Sequence, residues 1–175
     1  MAYANAEPSF RATKGSRFDD PSKQFGTLYC AANFDTCYSE TLLRENSFNG
    51  VKGQYEVAKA LHDSKGLTII LADLLTLKLV DLFDSGIREM GLNESMVLAG
   101  YDVTQPLARE LYEHPDKPDG IVYHARFGKR DRPAVVFFDR AKPHVRLSPG
   151  MSPTPLPHLS EAFDALTQTR KIALL

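Results

Sequence analysis

The sequence predicts a compact α+β domain built from a mixed sheet and short helices. Short apolar runs typical of strands are interleaved with short amphipathic segments typical of helices, without the long β-α-β units of a doubly wound sheet. With 175 residues, 43% of them hydrophobic and 25% charged, the chain is long enough for one domain with a buried core. We therefore predict a flexible terminus at residues 1–8 and a single domain at residues 9–175.

The first part of the chain predicts a strand, a loop and a second strand. Ser9–Thr13 is a candidate first strand, whereas Lys14–Phe25 is rich in Gly, Ser, Asp and Pro, which is typical of a loop. Phe25–Ala31 is predicted to be a strand, because Leu28 and Cys30 alternate with more polar neighbours.

A helix is predicted from Asp35 or Thr36, either of which can cap it, to about Arg44. Apolar side chains recur along this segment at the i, i+3, i+4, i+8 spacing of one helical face. These positions are Phe34, Cys37, Tyr38 and Leu42. The following segment, Gln54–His62, indicates a second helix or an irregular stretch.

The middle of the chain predicts a buried strand at Leu67–Ala72, because this run is almost continuously apolar and contains β-branched residues. Lys78–Leu82 is a candidate partner for that strand. Phe83–Met90 predicts a short helix, which we expect to end at Gly91.

The second half of the chain predicts one longer helix and several short strands. Tyr101–Val103 is expected to be extended, with Thr104 capping a helix through about Glu113. Three strands are expected afterwards, at Gly120–Arg126, Ala134–Asp139 and His144–Leu147. A proline-rich connector, Ser148–Pro157, then leads to a final helix at Ser160–Thr169.

The charge balance argues against some classes of partner. The chain has 21 basic and 22 acidic residues and a formal net charge of −1, so we expect neither direct nucleic acid binding nor attraction to an anionic membrane. The N-terminal residues lack the apolar core of a signal peptide, and the most apolar window, Leu67–Val80, is interrupted by charged residues. A cytoplasmic protein, or one delivered without a cleaved signal, is therefore expected.

The two cysteines and five histidines do not predict a metal site. Cys30 and Cys37 form no CxxC pair, and the histidines lack the spacing of zinc ligands. Two buried free thiols are favoured over a disulfide, because a domain of this length needs no covalent crosslink.

Three side chains on a predicted loop, strand and helix are candidates for a site that holds an anionic nucleotide. The guanidinium of Arg17 matches a phosphate or a carboxylate, and the phenol of Tyr29 suits stacking on a base or hydrogen bonding to a ribose. Glu40 lies off the apolar face of its helix, where a carboxylate would stabilise positive charge at an anomeric carbon. Each also has an ordinary interpretation, as an ion pair with a neighbouring acid, a core tyrosine or a solvated glutamate.

Six short motifs occur in a fixed order from about Arg17 to Asp139. The first three are Ser16-Arg17-Phe18-Asp19, Leu28-Tyr29 and Cys37-Tyr38-Ser39-Glu40. The last three are Tyr101-Asp102-Val103-Thr104-Gln105, Gly120-Ile121-Val122-Tyr123-His124-Ala125-Arg126 and Val135-Val136-Phe137-Phe138-Asp139. In this order the motifs resemble those of the RES domain family, whose members are toxins that destroy NAD.

The resemblance implies a fold similar to the diphtheria-toxin type of ADP-ribosyltransferase. It also implies an enzyme that cleaves the nicotinamide–ribose bond of NAD with water or phosphate and is neutralised by a cognate antitoxin protein. By the same resemblance, Arg17 would hold a phosphate or the nicotinamide ribose, Tyr29 would line the nicotinamide pocket, and Glu40 would orient the ribose and support the transition state. Further candidates for the NAD site are Tyr101, His124 and Arg126.

One position departs from the family pattern. Ala125 stands where the family has a pocket serine, and one missing hydrogen bond to a substrate costs about 1 kcal/mol, or about 1.5–3 kcal/mol if the partner is charged. A weakened enzyme, replacement of the hydroxyl by a neighbour such as His124, and loss of catalysis all remain open. Two alternatives to an NAD-cleaving enzyme are therefore kept: a non-catalytic module that binds NAD or ADP-ribose, and a protein ADP-ribosyltransferase.

Overall fold

The computed structural model describes residues 7–43, 48–83, 85–93, 95, 99–125, 132–150 and 153–175. The strands are β1 (Thr27–Ala31), β2 (Phe48–Asn49), β3 (Gln54–Val57), β4 (Gly66–Leu67), β5 (Ile70–Ala72), β6 (Leu79–Leu82), β7 (Gly120–His124), β8 (Pro133–Phe138), β9 (Val145–Leu147), β10 (Thr154–Pro155) and β11 (Ile172–Leu174). The α-helices are α1 (Phe34–Tyr38), α2 (Lys59–Asp63), α3 (Ser85–Glu89), α4 (Tyr101–Glu113) and α5 (Ser160–Arg170). A π-helical turn follows α1 at Ser39–Leu43, and 3₁₀ turns occupy Asp139–His144 and Leu156–His158. Strands and helices are thus mixed along the chain, which confirms the α+β class.

The largest sheet has the strand order β1-β8-β7-β6 and mixes both strand directions. β8 runs antiparallel to β1 and to β7, whereas β6 runs parallel to β7. β7 and β8 are rich in β-branched and aromatic residues, which suits strands at the centre of a sheet. Side chains from this sheet, the preceding loop and α4 share one buried cluster. Its members include Phe18, Phe25, Leu82, Ala108, Ile121, Val136 and Phe138.

A second buried cluster lies behind the segment that carries Glu40. It joins α1 and the π-helical turn to α5 and to a small sheet, in which β3 pairs with β2 antiparallel and with β11 parallel. The buried members are Tyr38, Leu42, Leu43, Val57, Leu156 and Leu166. The C-terminal segment therefore packs against an element from the N-terminal quarter of the chain.

The prediction for the central apolar run was wrong. Leu67–Ala72 is two short strands, β4 and β5, which pair with β10 and β9 at the surface. Ile69 is 44% exposed and Leu71 is 41% exposed, so the run is not a buried strand. The predicted strand at Lys78–Leu82 exists as β6, but it pairs with β7 because the chain crosses over to a parallel position in the large sheet.

The start of the longest helix was also mispredicted. Tyr101–Val103 is helical, and α4 begins after Gly100. Thr104 is inside the helix, where its hydroxyl donates to the carbonyl of Gly100 at 3.2 Å, so it is not the cap. Asp102 lies in the first turn, where a negative charge favours a helix start and outweighs the extended preference of Tyr and Val.

Two further boundaries differ near the N-terminus. Asn33 caps α1 by accepting from the backbone N–H of Thr36 at 2.9 Å, in place of Asp35 or Thr36. The predicted first strand is reduced to one bridge between Arg11 and Thr27.

The segment Gln54–His62, for which a helix or an irregular stretch was predicted, divides into β3 and α2. The predicted flexible terminus at residues 1–8 falls mostly outside the described residues, as does Arg44.

The remaining elements lie close to their predicted positions. β7 and β8 overlap the predicted strands, and α5 begins at Ser160 as expected. In the part of the chain that the structure describes, no helix is both long and apolar enough to cross a membrane.

Candidate functional site

The segment Thr13–Asp20, called the arginine loop below, is fixed by one buried carboxylate. Asp19 is 1% exposed. Its Oδ1 accepts from the Thr27 hydroxyl at 2.7 Å, and its Oδ2 accepts from the Ser16 backbone N–H at 2.9 Å and from the Thr13 hydroxyl. Because two of these donors lie in the first half of the loop and the third lies in β1, Asp19 closes the loop and ties it to the sheet.

Helix α4 and the turn formed by residues 20–24 also hold the arginine loop. The amide of Gln105 donates to the carbonyls of Lys14 at 3.2 Å and Ser16 at 3.0 Å. At the end of the loop, Asp20 accepts from the backbone N–H groups of Ser22 and Gln24. Burial opposes ionisation of Asp20, but these backbone donors outweigh it and lower its pKa below the usual value. Arg17 therefore belongs to a loop with little freedom to move.

Tyr29 uses its hydroxyl to hold the arginine loop. The hydroxyl accepts from the Phe18 backbone N–H at 2.8 Å and donates to Asp19 Oδ1 at 3.1 Å. Burial, reinforced by the nearby Asp19 carboxylate, raises the pKa of this phenol far above its ordinary value. Tyr29 is therefore a neutral phenol with both hydrogen-bonding roles in use, and what it offers to a ligand is its ring.

Glu40 lies on the π-helical turn Ser39–Leu43. Leu42 and Leu43 of this turn are buried in the second cluster, whereas Glu40 is half-buried and faces a cavity. Short π-helical turns are rare and are frequently found at functional sites. The amphipathic pattern of the sequence correctly separated Glu40 from the apolar face of its helix.

A cavity of about 640 Å³ brings together four of the predicted site residues, Arg17, Tyr29, Glu40 and Tyr101. Its volume is within the range of small-molecule sites. Arg17 is 7% exposed, and Tyr101 is 41% exposed at the first residue of α4. The other lining residues are Gly15, Ser16, Cys30, Ala31, Cys37, Thr41, Tyr123 and Ala134. The arginine loop, β1, the π-helical turn, α4 and the β7–β8 pair thus meet at one concave surface.

The structure does not bring His124 to this cavity. Successive residues of a strand point to opposite faces, so Tyr123 lines the cavity while the ring of His124 packs on Phe83, with ring centroids 4.2 Å apart. Arg126 lies outside the described residues. Ala125 is 8% exposed and belongs to the first buried cluster, and it is not among the described residues that line the cavity.

Tyr123 is the principal lining residue that the sequence reasoning missed. It is 4% exposed, and its ring packs edge-on against Phe18 with centroids 4.9 Å apart. Tyr123 therefore packs against the arginine loop through Phe18 and also forms part of the cavity wall. The predicted strand Gly120–Arg126 includes Tyr123, but nothing in the strand pattern singled it out as a site residue.

Cys30 and Cys37 also line the cavity. Both are free thiols, as predicted, but they are half-buried and not fully buried. Burial raises the pKa of Cys30 to about 12 and also raises that of Cys37. A thiol in this state is a poor nucleophile at neutral pH. Across the described residues, no group of three or more His, Cys, Asp or Glu side chains is arranged to hold a metal ion.

The fold and the cavity define an α+β protein with one concave surface that carries four of the predicted site residues. A buried arginine and a glutamate face the same space, and aromatic rings form its walls. The chain belongs to the RES domain family, since the family model for the RES domain matches residues 2–158. Comparison with curated proteins and with solved structures gives no match. Membership in this family is consistent with an NAD-related toxin function.

Proposed function

We propose that this protein is a toxin that consumes NAD by cleaving its nicotinamide–ribose bond. The observation that carries the proposal is the convergence of Arg17, Tyr29 and Glu40 on one cavity of about 640 Å³. These residues come from a loop, a strand and a helical turn. The motifs that contain them follow one another in the order that resembles the family. A chance cluster of structural residues would not be expected to reproduce that set.

The proposed reaction exchanges the bond from the anomeric carbon to the pyridinium nitrogen for a bond to oxygen. As the carbon–nitrogen bond breaks, its electron pair stays with nicotinamide, which leaves as a neutral molecule, and positive charge moves to the ribose. Water or phosphate then adds to the anomeric carbon, and water loses a proton to solvent. The products are nicotinamide and either ADP-ribose or its 1″-phosphate.

Each of the three residues has a distinct role in this reaction. The guanidinium of Arg17 offers a planar set of donors to a phosphate of NAD, and its burial strengthens that attraction. The carboxylate of Glu40 stabilises the oxocarbenium-like charge and hydrogen-bonds the ribose. The ring of Tyr29 forms part of the wall for the nicotinamide, while its hydroxyl holds the arginine loop.

Incubation of the purified protein with NAD, with and without phosphate, tests the proposal. We expect NAD loss with equimolar nicotinamide release, a fall of about 10²–10³-fold in kcat for Glu40→Gln, and a higher KM for Arg17→Ala. Glu161→Gln and Arg88→Ala are matched controls, because both residues are exposed and neither lines the cavity. Absence of turnover by the wild-type protein at high concentration would overturn the proposal.

A module that binds NAD without cleaving it is the second candidate, and Ala125 motivates it. Ala125 belongs to the first buried cluster together with Tyr123, which lines the cavity, but Ala125 itself is not among the described lining residues. Calorimetry with ADP-ribose separates the two: binding without turnover favours the module. In that case, activity that appears in Ala125→Ser would indicate a decayed enzyme.

The proposal also concerns the group that accepts ADP-ribose and the protein that neutralises the toxin. Incubation of labelled NAD with a cell lysate distinguishes small products from label attached to protein, and protein-bound label would identify an ADP-ribosyltransferase. We also propose that a cognate antitoxin protein neutralises the toxin. Expression of the wild-type chain should then stop growth, Glu40→Gln should not, and co-expression of the antitoxin should restore growth.

A further inference from the structure

We infer that Arg170, together with Asp35, is a positioning residue for the Glu40 carboxylate. This inference rests on the proposed function, since Glu40 is taken as the residue that supports the transition state. Arg170 lies at the end of α5, beyond residues 2–158, to which the family model extends. Its role is therefore a property of this chain that the family match does not cover.

A hydrogen-bonded chain connects Arg170 to the residue next to Glu40. Asp35 Oδ1 accepts from Arg170 Nε at 3.0 Å and from the Ser39 hydroxyl at 3.2 Å. The Asp35 side chain is only 15% exposed and that of Arg170 only 20% exposed, and Ser39 is fully buried. A charge pair sheltered in this way is screened less by solvent than an open surface pair.

Apolar contacts hold the two partners in place. Leu166 and Phe163 of α5 pack into the second cluster with Tyr38 and Leu42, which lie on either side of Glu40 in the chain. Strand β11 follows α5 directly and pairs with β3 along its whole length. Helix α5 is therefore fixed to the small sheet at one end and to the Glu40 segment along its side.

The geometry separates the support of Glu40 from the support of Arg17. The arginine loop is held by Asp19, Tyr29 and Gln105, and none of these contacts involves the C-terminal segment. Loss of Arg170 would remove the charged partner of Asp35, which accepts from Ser39 at the start of the π-helical turn, while the contacts that hold the arginine loop would stay in place. Because a displacement of about 1 Å at a catalytic group can cost about 10²-fold in rate, kcat should respond and KM for NAD should not.

Arg170→Met, Arg170→Lys and Leu174→Ala test the inference. Methionine keeps much of the apolar stem and removes the charge, lysine restores the charge, and Leu174→Ala weakens the second cluster without touching Asp35. We expect Arg170→Met to lower kcat about tenfold or more with KM changed less than twofold, Arg170→Lys to recover part of the loss, and Leu174→Ala to keep the wild-type kcat. Equal losses of kcat in Arg170→Met and Leu174→Ala, or an unchanged kcat in Arg170→Met, would overturn the positioning role.

A second measurement is independent of turnover. The ¹³C resonance of the Glu40 carboxyl carbon should shift in Arg170→Met and stay at its wild-type position in Leu174→Ala. An unaltered Glu40 resonance in Arg170→Met overturns the inference even if the wild-type protein does not cleave NAD. Absence of NAD cleavage by the wild-type protein, with a shifted resonance in Arg170→Met, overturns the proposed function and leaves the positioning role standing.

Discussion

Asparagine in place of Asp19 would remove one charge from the arginine loop while keeping the size of the side chain. The Ser16 N–H can only donate, so the amide oxygen of the asparagine has to face Ser16 and its NH₂ group has to face the hydroxyls of Thr27 and Tyr29. Tyr29 already accepts from the Phe18 N–H, so its own proton would lose its partner. The buried network cannot be satisfied without the carboxylate.

The structure sets the size of the effect. Hydrogen bonds to a charged group contribute about 1.5–3 kcal/mol each and neutral ones about 0.5–1.5 kcal/mol, a difference of about 1–1.5 kcal/mol per bond. The four bonds share one carboxylate and are not additive, so the free energy of unfolding should fall by about 2–4 kcal/mol, which is less than their sum. For a chain of this length, that corresponds to a decrease of roughly 4–16 °C in Tm. Arg17 lies two residues before Asp19, so KM for NAD should rise as well.

Urea unfolding followed by circular dichroism measures this free energy. Asp164→Asn makes the same chemical change on the exposed surface of α5 and should alter stability by less than about 0.5 kcal/mol. A loss below about 1 kcal/mol in Asp19→Asn would refute the reasoning that one buried carboxylate organises the loop.

Three further predictions concern other buried groups. Tyr29→Phe keeps the ring but removes the acceptor of the Phe18 N–H, so urea unfolding should show a loss of about 1–3 kcal/mol, and a loss below 0.5 kcal/mol would contradict the assigned hydrogen bonds. Partial burial raises the pKa of both Cys30 and Cys37, so iodoacetamide should label native protein at pH 7.5 more slowly than urea-unfolded protein by mass spectrometry; equal rates would show that the fold protects neither thiol. Desolvation lowers the pKa of His62, so below about pH 6.5 the unfolded state binds more protons than the folded state. As the pH is lowered, the free energy of unfolding should therefore decrease by at most about 1.4 kcal/mol per pH unit. His62→Gln should flatten that slope, and an unchanged slope would exclude His62 as its source.

The parts of the fold that could be predicted are those where local pattern and tertiary environment agree. β8 is an apolar run buried at the centre of a sheet, and α5 begins at Ser160, the first residue of a helix-forming segment. The prediction of an extended Tyr101–Val103 was wrong because the helix begins after Gly100 and includes these β-favouring residues. Leu67–Ala72 failed because an apolar run does not reveal by itself whether another layer covers it.

The candidate site was predicted in part for a similar reason. Arg17, Tyr29 and Glu40 were placed together by the order of the family motifs, and the structure brings all three to one cavity. The roles of Arg17 and Glu40 in binding and catalysis stay predictions until activity is measured. Tyr123 was missed because a buried strand tyrosine carries no signal in sequence. The contact of Asp35 with Arg170 was missed because nothing local links residues 135 positions apart.

The distance in sequence between Asp35 and Arg170 also affects when the site can form during synthesis. Chains are synthesised at about 5–20 residues per second, so the 135 residues between Asp35 and Arg170 take roughly 7–27 s to translate. During that interval the nascent chain contains the arginine loop and Glu40 but not the helix that packs behind Glu40. The order of synthesis therefore delays completion of the site until almost all of the described chain has been made.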